Sequence, residues 1–179
     1  MQQMRLKTTQ LENTGLEITP GWGLVPGRLE GAAGSPAVSN FEVEQLRRTR
    51  QIAPVETLQP QYSLVERDVE REILPFAERQ GIGVIAYSPI GSGLLTGWIT
   101  RERIERLPED DWRGRDPRFH EPQLSRHLAL VERLRHVAER HDTTPGAVAV
   151  AWTLRDPAVD GAIVGFRRPR AGRHDPPGC

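Results

Sequence analysis

Polar and aromatic side chains follow three apolar segments, at positions where they could contact a bound ligand. Ser39 and Asn40 follow the first segment, Gln59 follows the second, and Tyr87 follows the third. In parallel α/β sheets, ligands bind at the carboxyl ends of the strands. Ser and Asn are also preferred helix N-caps, so capping alone would explain Ser39 and Asn40. Both interpretations stay open at this point, and a single Gln at a strand end is weak evidence.

A glycine- and serine-rich loop follows Tyr87, and its backbone N–H groups could bind a phosphate. The loop lacks the lysine of a P-loop and the GxGxxG spacing of a dinucleotide fingerprint. Loops of this composition are also common as plain turns. The candidate residues are Ser88, Pro89, Ile90, Gly91, Ser92, Gly93 and Leu94.

Two arginines, Arg167 and Arg168, come after Gly165 and Phe166 at the end of the last predicted strand. A guanidinium binds a phosphate through two parallel hydrogen bonds, so an arginine at this position suits an anionic ligand. Two solvated arginines are an equally good interpretation. The five histidines show no metal-ligand spacing with the single cysteine or with carboxylates, so no metal site is predicted.

Alternating strands and helices would position these residues. From residue 38 the pattern is strand, helix, strand, helix, strand, loop, two helices and strand, which indicates right-handed βαβ units and a parallel sheet. After a short apolar step ending at 38–40, we predict strands at 55–58, 82–86 and 162–164, and helices at 41–50, 68–80, 124–138 and 145–154.

The remaining segments are less regular. Residues 1–20 have the pattern of a β-hairpin, with strands at 4–7 and 16–19 and turn residues at 13–15. Residues 21–37 are rich in glycine and proline without a period, which predicts an irregular linker. We also expect an irregular segment at 108–122 and an irregular tail at 170–179.

Composition limits the possible classes. The chain has 179 residues, with 24 basic and 24 acidic side chains, which gives no electrostatic case for nucleic acid or a membrane surface. We find no membrane-length apolar stretch, no signal peptide, and only one cysteine, Cys179. We therefore expect a soluble, cytoplasmic protein. A complete (β/α)8 barrel takes about 250 residues, which is more than this chain has.

Ser-Asn, Gln, Tyr-Ser-Pro and Gly-Phe-Arg at four successive strand ends are more specific together than any one alone. In this order they resemble the aldo-keto reductase family, and the resemblance implies an α/β fold. The expected architecture is a partial (β/α)8 TIM barrel of about four parallel strands with outer helices, plus an N-terminal β-hairpin. The matching segments are LENTGL at 11–16, VSNF at 38–41, LQPQYSL at 58–64, GIGVIAYSPIGSGLLTG at 81–97 and AIVGFRRP at 162–169. The barrel segment spans 38–169.

The resemblance implies a nicotinamide cofactor, NADP(H), and a role for each matching residue. Ser39, Asn40 and Gln59 would hydrogen-bond the nicotinamide carboxamide. Tyr87 would stack on the nicotinamide ring, and residues 88–94 would surround the pyrophosphate. Gly165, Phe166 and Arg167 would lie near the phosphate on the adenosine ribose, which favours NADP(H) over NAD(H).

The family's catalytic tetrad of Asp, Tyr, Lys and His comes from barrel strands two to four, and this chain has no room for them between the hairpin and residue 38. Its only lysine, Lys7, lies in the predicted hairpin. Its two tyrosines are Tyr62, in a predicted loop, and Tyr87, at the stacking position. We therefore name no catalytic residue, and we expect that this chain alone does not reduce carbonyl compounds.

Two alternatives to an inactive enzyme half remain. The chain could be an NADP(H)-binding pseudoenzyme, or a half barrel that another chain completes. Because half a barrel has two open strand edges and an uncovered face, we also expect self-association.

The sequence departs from the family after Pro169, where Arg-Ala-Gly-Arg-His-Asp stands in place of the family's Glu-Gln-Val continuation. One added nucleotide in codons for Pro-Glu-Gln-Val-Asp-Met-Ile yields Pro-Arg-Ala-Gly-Arg-His-Asp. We hypothesise that a frameshift produced this tail. A gene sequence in which removing one nucleotide does not restore codons for Pro-Glu-Gln-Val-Asp-Met-Ile would exclude it. The change would remove contacts to the adenosine end of the cofactor.

Overall fold

The computed structural model describes residues 9–10, 17–18 and 37–165. Near the N-terminus, β1 (Thr9–Gln10) pairs antiparallel with β2 (Glu17–Ile18). This pairing confirms the N-terminal hairpin of the predicted fold, with its second strand at the expected place. The predicted first strand at 4–7 lies outside the described residues, and the observed ladder involves residues 9–10 instead.

Four parallel strands form the central sheet. They are β3 (Ala37–Ser39), β4 (Thr57–Gln59), β5 (Gly83–Tyr87) and β6 (Gly161–Ile163), in the spatial order β3-β4-β5-β6. Each strand pairs in parallel with the next one along the chain. The predicted α/β class with four parallel strands is therefore confirmed. The first of these strands begins at Ala37, one residue before the predicted start of the barrel segment.

The main core lies between one face of this sheet and the helices that follow β3 and β4. Helix α1 (Val43–Arg50) contributes the fully buried Leu46, and α2 (Ile73–Gln80) contributes Leu74. The sheet contributes Leu58 and Val84, both without solvent exposure. Each such side chain stabilises the fold by about 1.5–3 kcal/mol when it is removed from water. This packing holds the strands side by side and so aligns their carboxyl ends.

Helix α2 is shorter than the sequence pattern indicates. The sequence predicts one helix over 68–80, but the structure has a 3₁₀ helix at Asp68–Glu70 and then α2. Pro75 explains the interruption, because it has no N–H to donate and its ring collides with the carbonyl of residue 71 in a continuous helix. Pro75 is the third residue of α2, where a backbone N–H would have no partner within the helix. Gly81 ends α2 at φ 63°, as the predicted left-handed terminator.

The chain between β5 and β6 is mostly helical. A short helix α3 (Arg101–Glu105) was not predicted, because Ile104 is its only apolar residue and gives no period. The predicted irregular segment at 108–122 contains two 3₁₀ helices, Trp112–Arg115 and Pro117–Phe119. Helices α4 (Gln123–Arg140) and α5 (Pro145–Thr153) confirm both predicted helices. No helix within the described ranges is long and apolar enough to cross a membrane.

Candidate functional site

The ends of β3 and β4 are fixed to each other by hydrogen bonds. Ser39 and Gln59 are register partners, and the Ser39 hydroxyl donates to the Gln59 carbonyl oxygen at 2.9 Å. The backbone N–H of Asn40 donates to the same carbonyl at 3.2 Å. Asn40 has φ 56°, a left-handed conformation that asparagine tolerates better than most residues. The structure therefore brings Ser39, Asn40 and Gln59 together at the carboxyl ends of β3 and β4.

Capping does not explain Ser39 and Asn40, because helix α1 begins later than its predicted start at residue 41. Its N-cap is Glu42, whose backbone N–H donates to the Gln45 side-chain oxygen at 2.8 Å. Ser39 and Asn40 lie before this cap and are solvent-exposed. Their alternative role, contact with a ligand at the sheet edge, stays a prediction.

Tyr87 is the last residue of β5 and lies two residues farther along the strand direction than Gln59. Leu58 pairs with Val84, and Gln61 forms a parallel bridge with Tyr87. Strands rise about 3.3 Å per residue, so the tyrosine lies about 7 Å farther along the strand direction than Gln59. Its hydroxyl donates to the Gln61 side-chain oxygen at 3.4 Å, a long contact. The carboxyl ends of the strands are therefore displaced along the strand direction from β4 to β5, as the stagger of a closing barrel requires. Gln61 lies at the same height as Tyr87, and the sequence did not identify it as a site residue.

The loop after Tyr87 turns sharply through left-handed backbone conformations at Ser88, Gly91, Ser92 and Gly93. The N–H of Gly91 donates to the Ser88 carbonyl at 2.9 Å, and the N–H of Gly93 donates to the Ile90 carbonyl at 3.2 Å. These two N–H groups bond within the loop rather than pointing to an outside anion. Any phosphate contact must therefore use other backbone N–H groups or the serine hydroxyls.

Two residues of the predicted loop site have buried side chains. Pro89 is buried and, as a proline, carries no N–H donor. Leu94 is 1% exposed and packs in a small core with Phe119 and Leu124. Their side chains hold the loop against the protein, so a ligand could meet only their backbone.

The end of β6 lies beside the end of β5. Ile163 is the register partner of Tyr87, and Gly165 follows two residues later. Apart from its chain neighbours, no atom of the residues that the structure describes would lie within 4 Å of a Cβ added at Gly165. Phe166 and Arg167, the other predicted residues of this tip, lie outside the described residues.

Tyr62 is a fully buried tyrosine in a polar cluster that the sequence did not reveal. Its hydroxyl donates to the Glu70 carboxylate at 2.8 Å, and Arg67 donates three further bonds of 2.7, 3.0 and 3.1 Å to the same group. Burial first, and then the hydrogen bond and negative charge of Glu70, raise the pKa of Tyr62. The guanidinium of Arg67 lies 5.2 Å from the ring centre of Trp152. This tyrosine holds its proton more tightly than a free one and serves as a structural anchor.

A second ion-pair cluster connects the segment after α3 to the loop after β4. Arg118 pairs with Asp116 and, at 3.3 Å, with Glu66. The hydrogen bond from Arg118 is the main reason that the pKa of Asp116 is lowered. Both carboxylates and the guanidinium are largely shielded from solvent. The cluster fixes the segment beside the glycine-rich loop.

A surface groove of about 310 Å³ lies between α1 and α2. None of the predicted site residues lines it, so we do not assign the site to it. Within the ranges that the structure describes, no group of three or more His, Cys, Asp or Glu residues could hold a metal ion. The groove is lined by Val43, Arg47, Arg71, Glu72, Pro75, Phe76 and Arg79.

Comparison with known proteins decides the family. The model of the aldo/keto reductase family matches residues 24–172, most of the chain. The chain belongs to the aldo/keto reductase family. The matched range includes residues 24–36, within the predicted linker, and does not include the predicted hairpin at 1–20.

Two curated aldo/keto reductase relatives and one solved structure agree with this assignment. Aldo-keto reductase YhdN of Bacillus subtilis (strain 168) is 38% identical over 133 residues, which are 74% of this chain and 40% of that protein. Probable aldo-keto reductase 1 of Glycine max is 32% identical over 126 residues, 70% of this chain and 36% of that protein. The chain thus spans about two fifths of the length of these relatives.

The solved structure is that of the glycerol dehydrogenase AKR11B4 from Gluconobacter oxydans. It superposes with a TM-score of 0.70 at 38% identity, over 77% of this chain and 41% of that one. The four parallel strands and their helices therefore match part of an aldo/keto reductase barrel, which confirms the predicted partial TIM barrel.

Proposed function

We propose that this chain binds NADP(H) at the carboxyl ends of β3 to β6. Members of its oxidoreductase family use this cofactor to reduce aldehydes and ketones. The observation that carries the proposal is the convergence of Ser39, Asn40, Gln59 and Tyr87 on one edge of a parallel sheet. Open α/β sheets and barrels bind their ligands at this edge.

The donor set fits a nicotinamide group. Asn40 and Gln59 carry amides that can both donate and accept hydrogen bonds, as recognition of a carboxamide requires. Both residues have solvent access, as does Tyr87. A tyrosine ring offers a flat apolar face for stacking. The bound cofactor would supply the hydride, and these residues would orient its ring.

The phosphate end of the cofactor has two candidate binding segments. Residues 88–94 form a tight loop whose serine hydroxyls and remaining N–H groups suit a pyrophosphate. Arg167, with Gly165 and Phe166, would bind the phosphate on the adenosine ribose through its guanidinium. That role makes NADP(H) the preferred form over NAD(H).

We propose further that this chain alone has no carbonyl reductase activity. Protonation of the carbonyl oxygen needs a positioned acid whose pKa is tuned towards the working pH. Tyr62 does not meet this need, because its pKa is raised and its hydroxyl is bonded to Glu70. Lys7 is the only lysine that could lower a tyrosine pKa. Cofactor binding without turnover would make this chain a cofactor-binding pseudoenzyme.

Fluorescence titration with NADPH tests the site. We expect saturable binding to the chain, and about tenfold weaker binding by Tyr87→Ala, since lost stacking costs about 0.5–1.5 kcal/mol beyond buried area. Tyr87→Phe is the matched control and should bind within about twofold of the original chain, because the ring remains and the hydroxyl contact is long. Equal binding by the alanine variant and the original chain would exclude the stacking role.

Two further assays separate cofactor choice from turnover. Arg167→Ala should weaken NADPH binding and leave NADH binding unchanged, and equal losses would contradict the proposed phosphate contact. The purified chain should show no NADPH oxidation that depends on an added aldehyde or ketone. Turnover by the purified chain would overturn the proposed inactivity while leaving cofactor binding intact.

A further inference from the structure

The four-stranded sheet has two edges without a partner strand among the described residues. Strand β3 pairs only with β4, and β6 pairs only with β5. Natural proteins protect sheet edges with charged residues, prolines or bulges. Neither edge strand contains a charged residue or a proline, since their sequences are Ala-Val-Ser and Gly-Ala-Ile. Each edge strand is three residues long and offers only a short ladder, and no charge or proline within it blocks pairing with another strand.

The sheet face opposite the helices becomes more exposed towards these edges. Val38 packs into the helix-covered core, so Ala37 and Ser39 point to the opposite face, and both are exposed. On the other edge strand, a Cβ at Gly161 would lie 3.9 Å from the Ile85 side chain, which places both on this opposite face. By the same alternation Ile163 points there, and it is 48% exposed.

We propose that two copies of this chain pair edge to edge and close one eight-stranded barrel. Two sheets of four parallel strands supply the eight strands of a (β/α)8 barrel. A twofold axis along the barrel axis keeps all eight strands running in the same direction, each tilted by about 36° to that axis. It places β6 of one copy beside β3 of the other at both seams. No edge remains open after closure, so assembly stops at two copies.

Side-chain size and charge favour this partner. At each seam the large Ile163 would meet an edge strand that presents only Ala37 and Ser39 to the barrel interior, so large and small side chains alternate. The formal net charge is zero, from 24 basic and 24 acidic residues, so two copies have no net repulsion to overcome. The inference does not depend on cofactor binding.

Light scattering coupled to size exclusion tests the assembly with the full 179-residue chain. We expect twice the mass of one chain. Ile163→Lys should raise the dissociation constant at least tenfold, because it places a charge in the barrel interior at both seams. The matched control is Ile52→Lys, at an 89% exposed residue after α1, which should leave the dimer unchanged. A monomeric chain, a series of larger species, or equal dimerisation of both variants would overturn the proposal.

Cross-linking identifies the edges that meet, and it does not require Ile163→Lys to fold. In a Cys179→Ser background, Ala37→Cys and Ile163→Cys chains with different tags are mixed and treated with a short bifunctional thiol reagent. A closed barrel predicts cross-links mainly between the two different chains, because β3 of one copy lies beside β6 of the other. Predominant 37–37 or 163–163 links would refute the arrangement, since these positions lie across the barrel from each other.

Discussion

Tyr62→Phe should destabilise the chain by about 1.5 kcal/mol through the loss of one hydrogen bond. The Tyr62 hydroxyl is buried and donates to Glu70 at 2.8 Å. Phenylalanine keeps the shape of the ring, so no cavity forms. A hydrogen bond to a charged group contributes roughly 1.5–3 kcal/mol. We take the lower end because the Glu70 side chain is 25% exposed and keeps its bonds from Arg67.

The loss of unfolding free energy caused by Tyr62→Phe should become smaller both at acidic pH and at alkaline pH. The pKa of Glu70 is lowered, chiefly by the Arg67 hydrogen bond and also by Tyr62. The stabilisation is therefore present above the unfolded pKa of about 4.3 and is lost as pH falls through the folded pKa. The pKa of Tyr62 is raised by burial and then by Glu70. The stabilisation that the protonated Tyr62 hydroxyl contributes is therefore present below its unfolded pKa of about 10 and is lost as pH rises through the folded pKa. The cost should be largest between these limits.

Urea denaturation at one fixed protein concentration measures this cost, because association changes apparent stability. The matched comparison repeats Tyr62→Phe in a Glu70→Ala background. There the buried hydroxyl has lost its acceptor, so replacing it with phenylalanine should be neutral or stabilising. An equal cost in both backgrounds would refute the assigned hydrogen bond.

Two other substitutions probe the loop and the second ion-pair cluster. Gly91→Ala should lower the free energy of unfolding by about 2 kcal/mol, because it adds left-handed strain at φ 56° and places a Cβ only 3.0 Å from a Val65 methyl. Gly93→Ala should lower it by about 1 kcal/mol, because φ is 93° but, chain neighbours aside, no atom of the described residues lies within 4 Å of the added Cβ. Thermal denaturation of both variants measures the two losses. Equal losses would contradict the Val65 contact. Asp116→Asn should lower stability at neutral pH and have less effect in acid, because the pKa of Asp116 is lowered by Arg118 and the pair weakens as pH falls through it. A loss that is the same at every pH would contradict this pairing.

Local signals made much of the fold predictable. The apolar run before Tyr87 and the terminator Gly81 indicate a buried strand after a helix, and both are present. Thr144 accepts a hydrogen bond from the N–H of Ala147 at 3.2 Å, as its position before Pro145 predicts. In each case the residues that determine the structure are neighbours in sequence. Periodicity alone misplaced the start of α2, because it carries no information about the missing N–H of Pro75.

The site was harder to predict because it depends on register between distant segments. The sequence pattern placed Ser39, Gln59 and Tyr87 at strand ends. Their relative heights along the strand direction follow from the register of strand pairing, which no local signal fixes. The contact between Tyr87 and Gln61 arises from that stagger. Capping was a reasonable expectation for Ser39, and it was wrong because α1 starts at Val43. The burial of Tyr62 depends on tertiary packing that sequence alone does not show.

Hydrogen–deuterium exchange with and without NADP⁺ most directly tests whether the strand tips share one ligand. The account predicts slower exchange at residues 39–40, 59–61, 88–94 and 165–167 together, with the same dependence on NADP⁺ concentration. Unchanged exchange at these segments, or protection confined to the groove between α1 and α2, would contradict it.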